Sequence, residues 1–301
     1  MFRAGNTAFR TREWMEVMAR KLGADAISVT FSLDSLTASI RRNNEWITRT
    51  REIGPPGVNA WRIGELEKLA KTKQQGVEAG TIAAELAEIE TTPPRNTDLQ
   101  VAAAVGVACG AFAFLNGCCM PEITAAGVGG VVGQWSRSRL LRRQLNQHGV
   151  AALCAVVASG AYVLIAALLS RTGWGFAQHP GGFISSVLFL APGFPLVAAQ
   201  LDLLKYQTVA ALSRLAYGAM LFLSATFGLS IVIAIAAIDL SPHVSFEIKY
   251  PLKMLLRAVA SFVGGCGFAM LYNSSARTIL AVGLLALAAN VFRLGLHDAP
   301  G

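Results

Sequence analysis

From Leu99 to Arg293 the chain is a succession of apolar stretches broken by short polar links, and this pattern constrains the fold more than any single motif. Seven stretches can be counted: 99–116, 120–135, 149–169, 183–203, 215–238, 254–271 and 277–296. Most approach the ~20 residues with which an α-helix crosses a bilayer. Inside lipid every backbone amide and carbonyl needs an internal partner, so a helical bundle is the expected solution. The composition agrees: 53% of residues are hydrophobic and 15% charged, too apolar for an ordinary soluble domain.

The first 98 residues are different. They hold 14 of the 26 Lys and Arg and 13 of the 18 Asp and Glu. Residues 8–22 place Trp14, Val17, Met18 and Leu22 on one helical stripe. "AISVTFS" (26–32), "SLTASIR" (35–41) and "EWITRTREI" (45–53) read as strands joined by turns at Asp34-Ser35 and Asn43-Asn44. The loop "GPPGVN" (54–59) leads to a helix over about 60–74 that Asn59 caps, and a short helix follows from Thr81. "TTPPRNT" (91–97) is the linker. The expected architecture is a membrane all-α bundle of about seven spans preceded by a small cytoplasmic α+β domain. Residues 1–98 form that domain and its linker, 99–240 a five-span membrane domain, and 241–301 two further spans.

The membrane part is net basic, with 12 Lys and Arg against 5 Asp and Glu. Arg137, Arg139, Arg142 and Arg143 crowd one short link. Such a run is a cytoplasmic-loop signal before it is a nucleic-acid patch, and no nucleic-acid partner is expected. It orients the bundle with the N-terminus in the cytoplasm and, after seven spans, the C-terminus outside. The first residues have no apolar core of signal-peptide length, so no cleavage is expected. The glycines at 127, 129, 130 and 133, and at 264, 265 and 267, read as helix-packing seams, the latter three facing lipid where a partner can dock.

Enzyme chemistry finds little footing. Residues 1–98 contain neither His nor Cys, which excludes a Ser-His-Asp triad, a Cys-His pair or a histidine zinc site there. The five cysteines lie in or beside apolar segments without metal or redox spacing. No phosphate-binding loop is present, so the chain encodes no ATPase. No catalytic residue, metal or cofactor is expected.

The stretch "LFLAPGFPLVAAQLDLLKY" (188–206) interrupts a good membrane segment with Pro192, Gly193 and Pro195. A broken helix is tolerated in a membrane only where it is buried in protein or lines a polar cavity. A half-helix starting after Pro195 points its positive end at a carboxylate-sized anion. Asp202 follows two turns later on the same face, roughly 10 Å along. Partial burial is expected to raise its pKa, with Arg214 on the next helix opposing. Pro195→Ala is expected to mend the helix. Glu122, at the start of the second segment, is the other acid to account for.

These residues resemble the threonine/serine exporter family. "LAPGFPLVAAQLDLLKYQTVAALSR" (190–214) is similar to its signature, a Pro-Gly-x-Pro-Leu run, a downstream Asp and an Arg opening the next helix: here Pro192, Gly193, Pro195, Leu196, Asp202 and Arg214. Glu122 matches an acidic residue carried early in the second span. The likeness covers roughly 1–240, and "GFAMLYNSSARTILAVGLLALAANVFR" (267–293) resembles the opening of the family's second half. The resemblance implies a secondary transporter of the inner membrane, exporting threonine, serine or a similar small carboxylate against inward proton flow. It also implies more spans than the seven counted here, supplied by a second copy or a second membrane subunit. The alternatives are a non-transporting scaffold or regulatory subunit of a two-component exporter, for which dicarboxylates are the implied cargo, and a membrane-anchored enzyme.

Overall fold

The computed structural model describes residues 1–32, 35–54, 57–72, 78–171, 180–236 and 250–298. Asp34 of the first expected turn, Pro55 and Pro56 of the 54–59 loop, and most of the two long links expected on the outer side (172–179, 237–249) lie outside the described residues. The chain divides into two compact units. One comprises Met1–Arg95 with Pro192–Ala219, the other Asn96–Ala191 with Met220–Gly301.

In the first unit, α1 (Ala8–Lys21) precedes strands β1 (Ala26–Phe31), β2 (Ser35–Arg42) and β3 (Glu45–Glu52), which form an antiparallel sheet in that order. The β2–β3 turn is tight because Asn43 and Asn44 both adopt positive φ (51° and 64°), which Asn tolerates well and which matches the strand twist. The register pairs Ile27 with Ile40 and Val29 with Ala38, so one face is apolar. Ala8, Val29, Phe31 and Ala210 form its core, with Phe2, Met15 and Leu36 packed around them. Helices α2 (Ala60–Thr72) and α3 (Ala79–Thr91) follow. As expected, the Asn59 side chain caps α2, accepting from the Arg62 amide at 3.0 Å.

The second unit is helical: α4 (Asp98–Leu115), α5 (Met120–Arg142), α6 (Gln147–Ser170), the short α7 (Pro180–Ser185), α10 (Tyr250–Leu271) and α11 (Ala276–Asp298). α8 (Gly193–Leu204) belongs to the first unit, and α9 (Thr208–Ala236) contributes to both. Thr97 and Gln100 cap α4 reciprocally, and Gly117, with φ of 83°, ends it.

Among the described residues five helices are long and apolar enough to cross a membrane: α4, α6, α9, α10 and α11. Two of the seven expected spans fall short for different reasons. α5 has the length, but its glycines and arginines dilute its apolarity. The fourth segment is not one helix: α7 ends at Ser185, a 3-10 turn covers Leu188–Leu190, and α8 starts afresh at Gly193.

The glycine seams are real, and those at 264, 265 and 267 are already occupied. A methyl on Gly267 would lie 2.5 Å from the Ala104 carbonyl oxygen of α4, and one on Gly265 would lie 2.7 Å from Ala286 of α11. They face neighbouring helices of the same chain, not lipid. Close helix approach through small residues replaces the hydrophobic drive that lipid cannot supply.

Candidate functional site

Pro192 is the N-cap of α8, and Gly193 and Pro195 lie in its first turn. Amides there have no intrahelical acceptor, so Pro195 costs the helix nothing. The break therefore precedes Gly193. Ala191 is extended (φ −62°, ψ 124°), as a residue before proline prefers. Pro195→Ala cannot mend the helix, because the interruption is the 3-10 turn and the extended Ala191 rather than the ring at 195.

With 12 residues, α8 rises only about 18 Å, short of a bilayer core. Asp202, near its end, is fully buried. One carboxylate oxygen accepts from the Ala8 amide at 2.7 Å and the Phe9 amide at 3.4 Å. Asp202 thus caps α1 from 194 residues away, in place of Thr7, whose side chain makes no cap bond. A carboxylate there also meets the positive end of the helix dipole. The other oxygen lies 3.5 Å from Nε of Arg214, itself 5% exposed.

Arg214 in turn grips the start of the chain. Its guanidinium donates to the Gly5 carbonyl at 3.3 Å and to the Asn6 carbonyl, and it lies 4.3 Å above the Phe2 ring. Gly5 permits this turn: its φ is 100°, and a Cβ there would sit 2.9 Å from the Gly57 carbonyl oxygen. Burial pushes the Asp202 carboxyl up from its ordinary value, while Arg214 and the two amides pull it down. Asp202 Oδ2, Arg214 Nε and Thr7 Oγ1 are buried without a hydrogen bond among the described residues.

Of the sequence candidates, then, the first unit brings Asp202 and Arg214 together, while Pro192, Gly193 and Pro195 define the start of the helix that carries Asp202. Glu122 belongs to the second unit. It is 1% exposed in the first turn of α5, where its carboxylate accepts from the Cys119 amide at 2.9 Å.

The residues near Glu122 were not legible as a group. Tyr162 of α6 is buried edge-on to Phe183 of α7, ring centroids 5.9 Å apart, and Glu122 and Cys118 lie within electrostatic reach of it. Its hydroxyl has no hydrogen bond among the described residues. Asn116 donates to Ser185 at 3.2 Å, and the buried Ser186 donates to the Phe183 carbonyl at 2.7 Å. The available signal was polar residues inside otherwise apolar runs: Tyr162 in α6, and Ser185-Ser186 before a break. Among the described residues no cluster of His, Cys, Asp and Glu is arranged to hold a metal.

A family model described as "Putative threonine/serine exporter" matches residues 1–236. The chain is 24% identical over 213 residues to the "Probable succinate transporter subunit YjjP" of Klebsiella aerogenes, covering 70% of this chain and 80% of that protein. It is 24% identical over 220 residues to the protein of the same name from Escherichia coli K12, covering 72% and 83%. No solved structure matches it.

Proposed function

Since this chain belongs to the threonine/serine exporter family, and is a transporter and not an enzyme, we propose that it exports a small hydroxy amino acid or similar small carboxylate by proton coupling. Glu122 carries this reading. It is a carboxyl group buried in the first turn of α5 among apolar helices, within electrostatic reach of Tyr162, whose hydroxyl has no hydrogen bond among the described residues. Ionisable groups inside a membrane bundle mark ion pathways and proton relays. In this reading Glu122 carries the proton. The start of α8, opened by Pro192, Gly193 and Pro195, receives the substrate carboxylate at a positive helix end. Asp202 and Arg214 are positioning residues that hold the N-terminal turn.

The direct test loads cells with labelled threonine or labelled succinate and follows efflux with and without an uncoupler. Efflux of at least one of them should exceed the empty-vector rate and fall to that rate when the proton gradient collapses. Uncoupler-insensitive efflux, or none above background in any host, overturns the proposal.

The names of the curated relatives favour a second reading, in which this chain is one subunit of a two-part exporter in the bacterial inner membrane. It is distinguished by efflux that requires the chain in its own host yet fails when the chain is expressed alone in a foreign one.

The proposed orientation puts the link between α5 and α6 in the cytoplasm. Leu145 lies there and is 49% exposed. In a background lacking the native cysteines, Leu145→Cys should resist membrane-impermeant thiol reagents in intact cells and react after permeabilisation. Labelling in intact cells reverses the orientation.

A further inference from the structure

The α+β domain contains a cavity of about 390 Å³ whose lining includes none of Glu122, Asp202, Arg214 or the start of α8. Its walls come from three helices: Trp14 and Met18 of α1, Leu66 and Leu69 of α2, and Leu86 of α3. This volume falls in the range of small-molecule sites, which are mostly apolar with a few polar groups that fix orientation.

The charged groups of the lining come from Met1, Arg3, Arg51 and Glu52. Arg51 is the penultimate residue of β3, and its register partner Leu36 also lines the cavity. Gly54 follows the strand, and Arg3 lies against it, Nε 3.6 Å from where a Cβ on Gly54 would stand. The guanidinium groups of Arg3 and Arg51 make no ion pair or hydrogen bond among the described residues. Glu52 also borders the cavity, but successive strand residues project to opposite faces. The lining is net positive, with Arg3, Arg51 and the Met1 amino group set against one carboxylate, Glu52. An apolar chamber lined by two guanidiniums that are unpaired among the described residues matches a ligand with an apolar body and one anionic head, since guanidinium pairs bidentately with carboxylate.

We propose that this cavity is a second binding site, distinct from any transport path, for a small amphipathic carboxylate whose apolar body fills the chamber between α1, α2 and α3 and whose carboxylate meets Arg3 and Arg51. The ligand of this site is separate from the exporter's cargo. It does not depend on which substrate crosses the membrane.

The probe is 3-phenylpropanoate, with its neutral amide as control, titrated calorimetrically into the full-length protein in lipid nanodiscs, with protein-free nanodiscs as the blank. Saturable binding is expected with a Kd of about 0.1–1 mM. The amide should bind at least about fivefold more weakly, and Arg51→Gln should weaken the carboxylate about tenfold without affecting the amide, as loss of a charged partner predicts. Met18→Trp, which fills the chamber, should abolish binding of both while leaving the circular dichroism spectrum unchanged. Absence of saturable binding in the millimolar range overturns the proposal. So does equal affinity for acid and amide, or undiminished binding in a correctly folded Met18→Trp protein.

Discussion

Glu122→Gln is expected to leave the protein folded and inserted and to abolish gradient-driven efflux. Glutamine keeps the shape and the acceptor oxygen, so the bond from the Cys119 amide survives; a Gln at this helix position caps as Glu does. What disappears is the ability to take up and release a proton. Gradient-driven efflux should fall by about 100-fold, the scale on which removal of a proton-transfer group acts. Exchange of labelled for unlabelled substrate should persist, because exchange needs no net proton movement. Unchanged uphill efflux in this variant, at matched expression, means that Glu122 only caps α5.

The second large effect concerns Asp202 and Arg214, and here the expected damage is to folding. Both are buried, and each satisfies the other's charge while binding backbone of the N-terminal turn. Removing one member of a buried pair leaves an uncompensated charge, at about 3–5 kcal/mol. Asp202→Asn strands the Arg214 cation and weakens the cap on α1. Arg214→Met releases the carbonyls of Gly5 and Asn6. Each single variant should lower the thermal midpoint in mild detergent and speed tryptic cleavage at Arg10 and Arg12. The double variant should be less damaged than the two losses added, by about 0.5–3 kcal/mol of coupling. If Asp202→Asn instead keeps the wild-type midpoint and cleavage rate but loses uphill efflux, the aspartate is a coupling residue and not an anchor.

Sequence periodicity served well wherever the signal was local. Alternation in 26–53 placed three strands within a residue or two, since Ile27, Val29 and Phe31 must share one face to meet α1. The Asn43-Asn44 turn was legible because few residues accept two successive positive φ values. The boundaries of α6 and α11 followed from apolar length to within two residues, whereas α10 starts four residues before its expected apolar run. Non-local choices were not legible. The partner of Asp202 is an amide 194 residues earlier, and spacing on its own helix suggested a mate at Pro195. Whether Gly265 and Gly267 face lipid or protein depends on which helix docks there, and a run of small residues reads alike in either case. The cavity in the α+β domain was invisible for a related reason. Trp14 read only as part of the α1 stripe, and only the joint placement of Trp14, Leu66 and Leu86 leaves space between them.

The cap on α1 has a consequence in time. At about 5–20 residues per second, some 10–40 s of synthesis separate Ala8 from the aspartate that satisfies its amide. During that interval the ribosome delivers four apolar segments, and the first helix waits with its leading amides turned to water. Ala210, which closes the core beside Val29 and Phe31, arrives later still. The amino-terminal residues emerge first but are among the last to settle, so the finished α+β domain reports that residues up to 214 have been made. A fragment cut at residue 98 lacks the cap, the clamp and part of the core, and it is a poor proxy for the domain inside the whole chain.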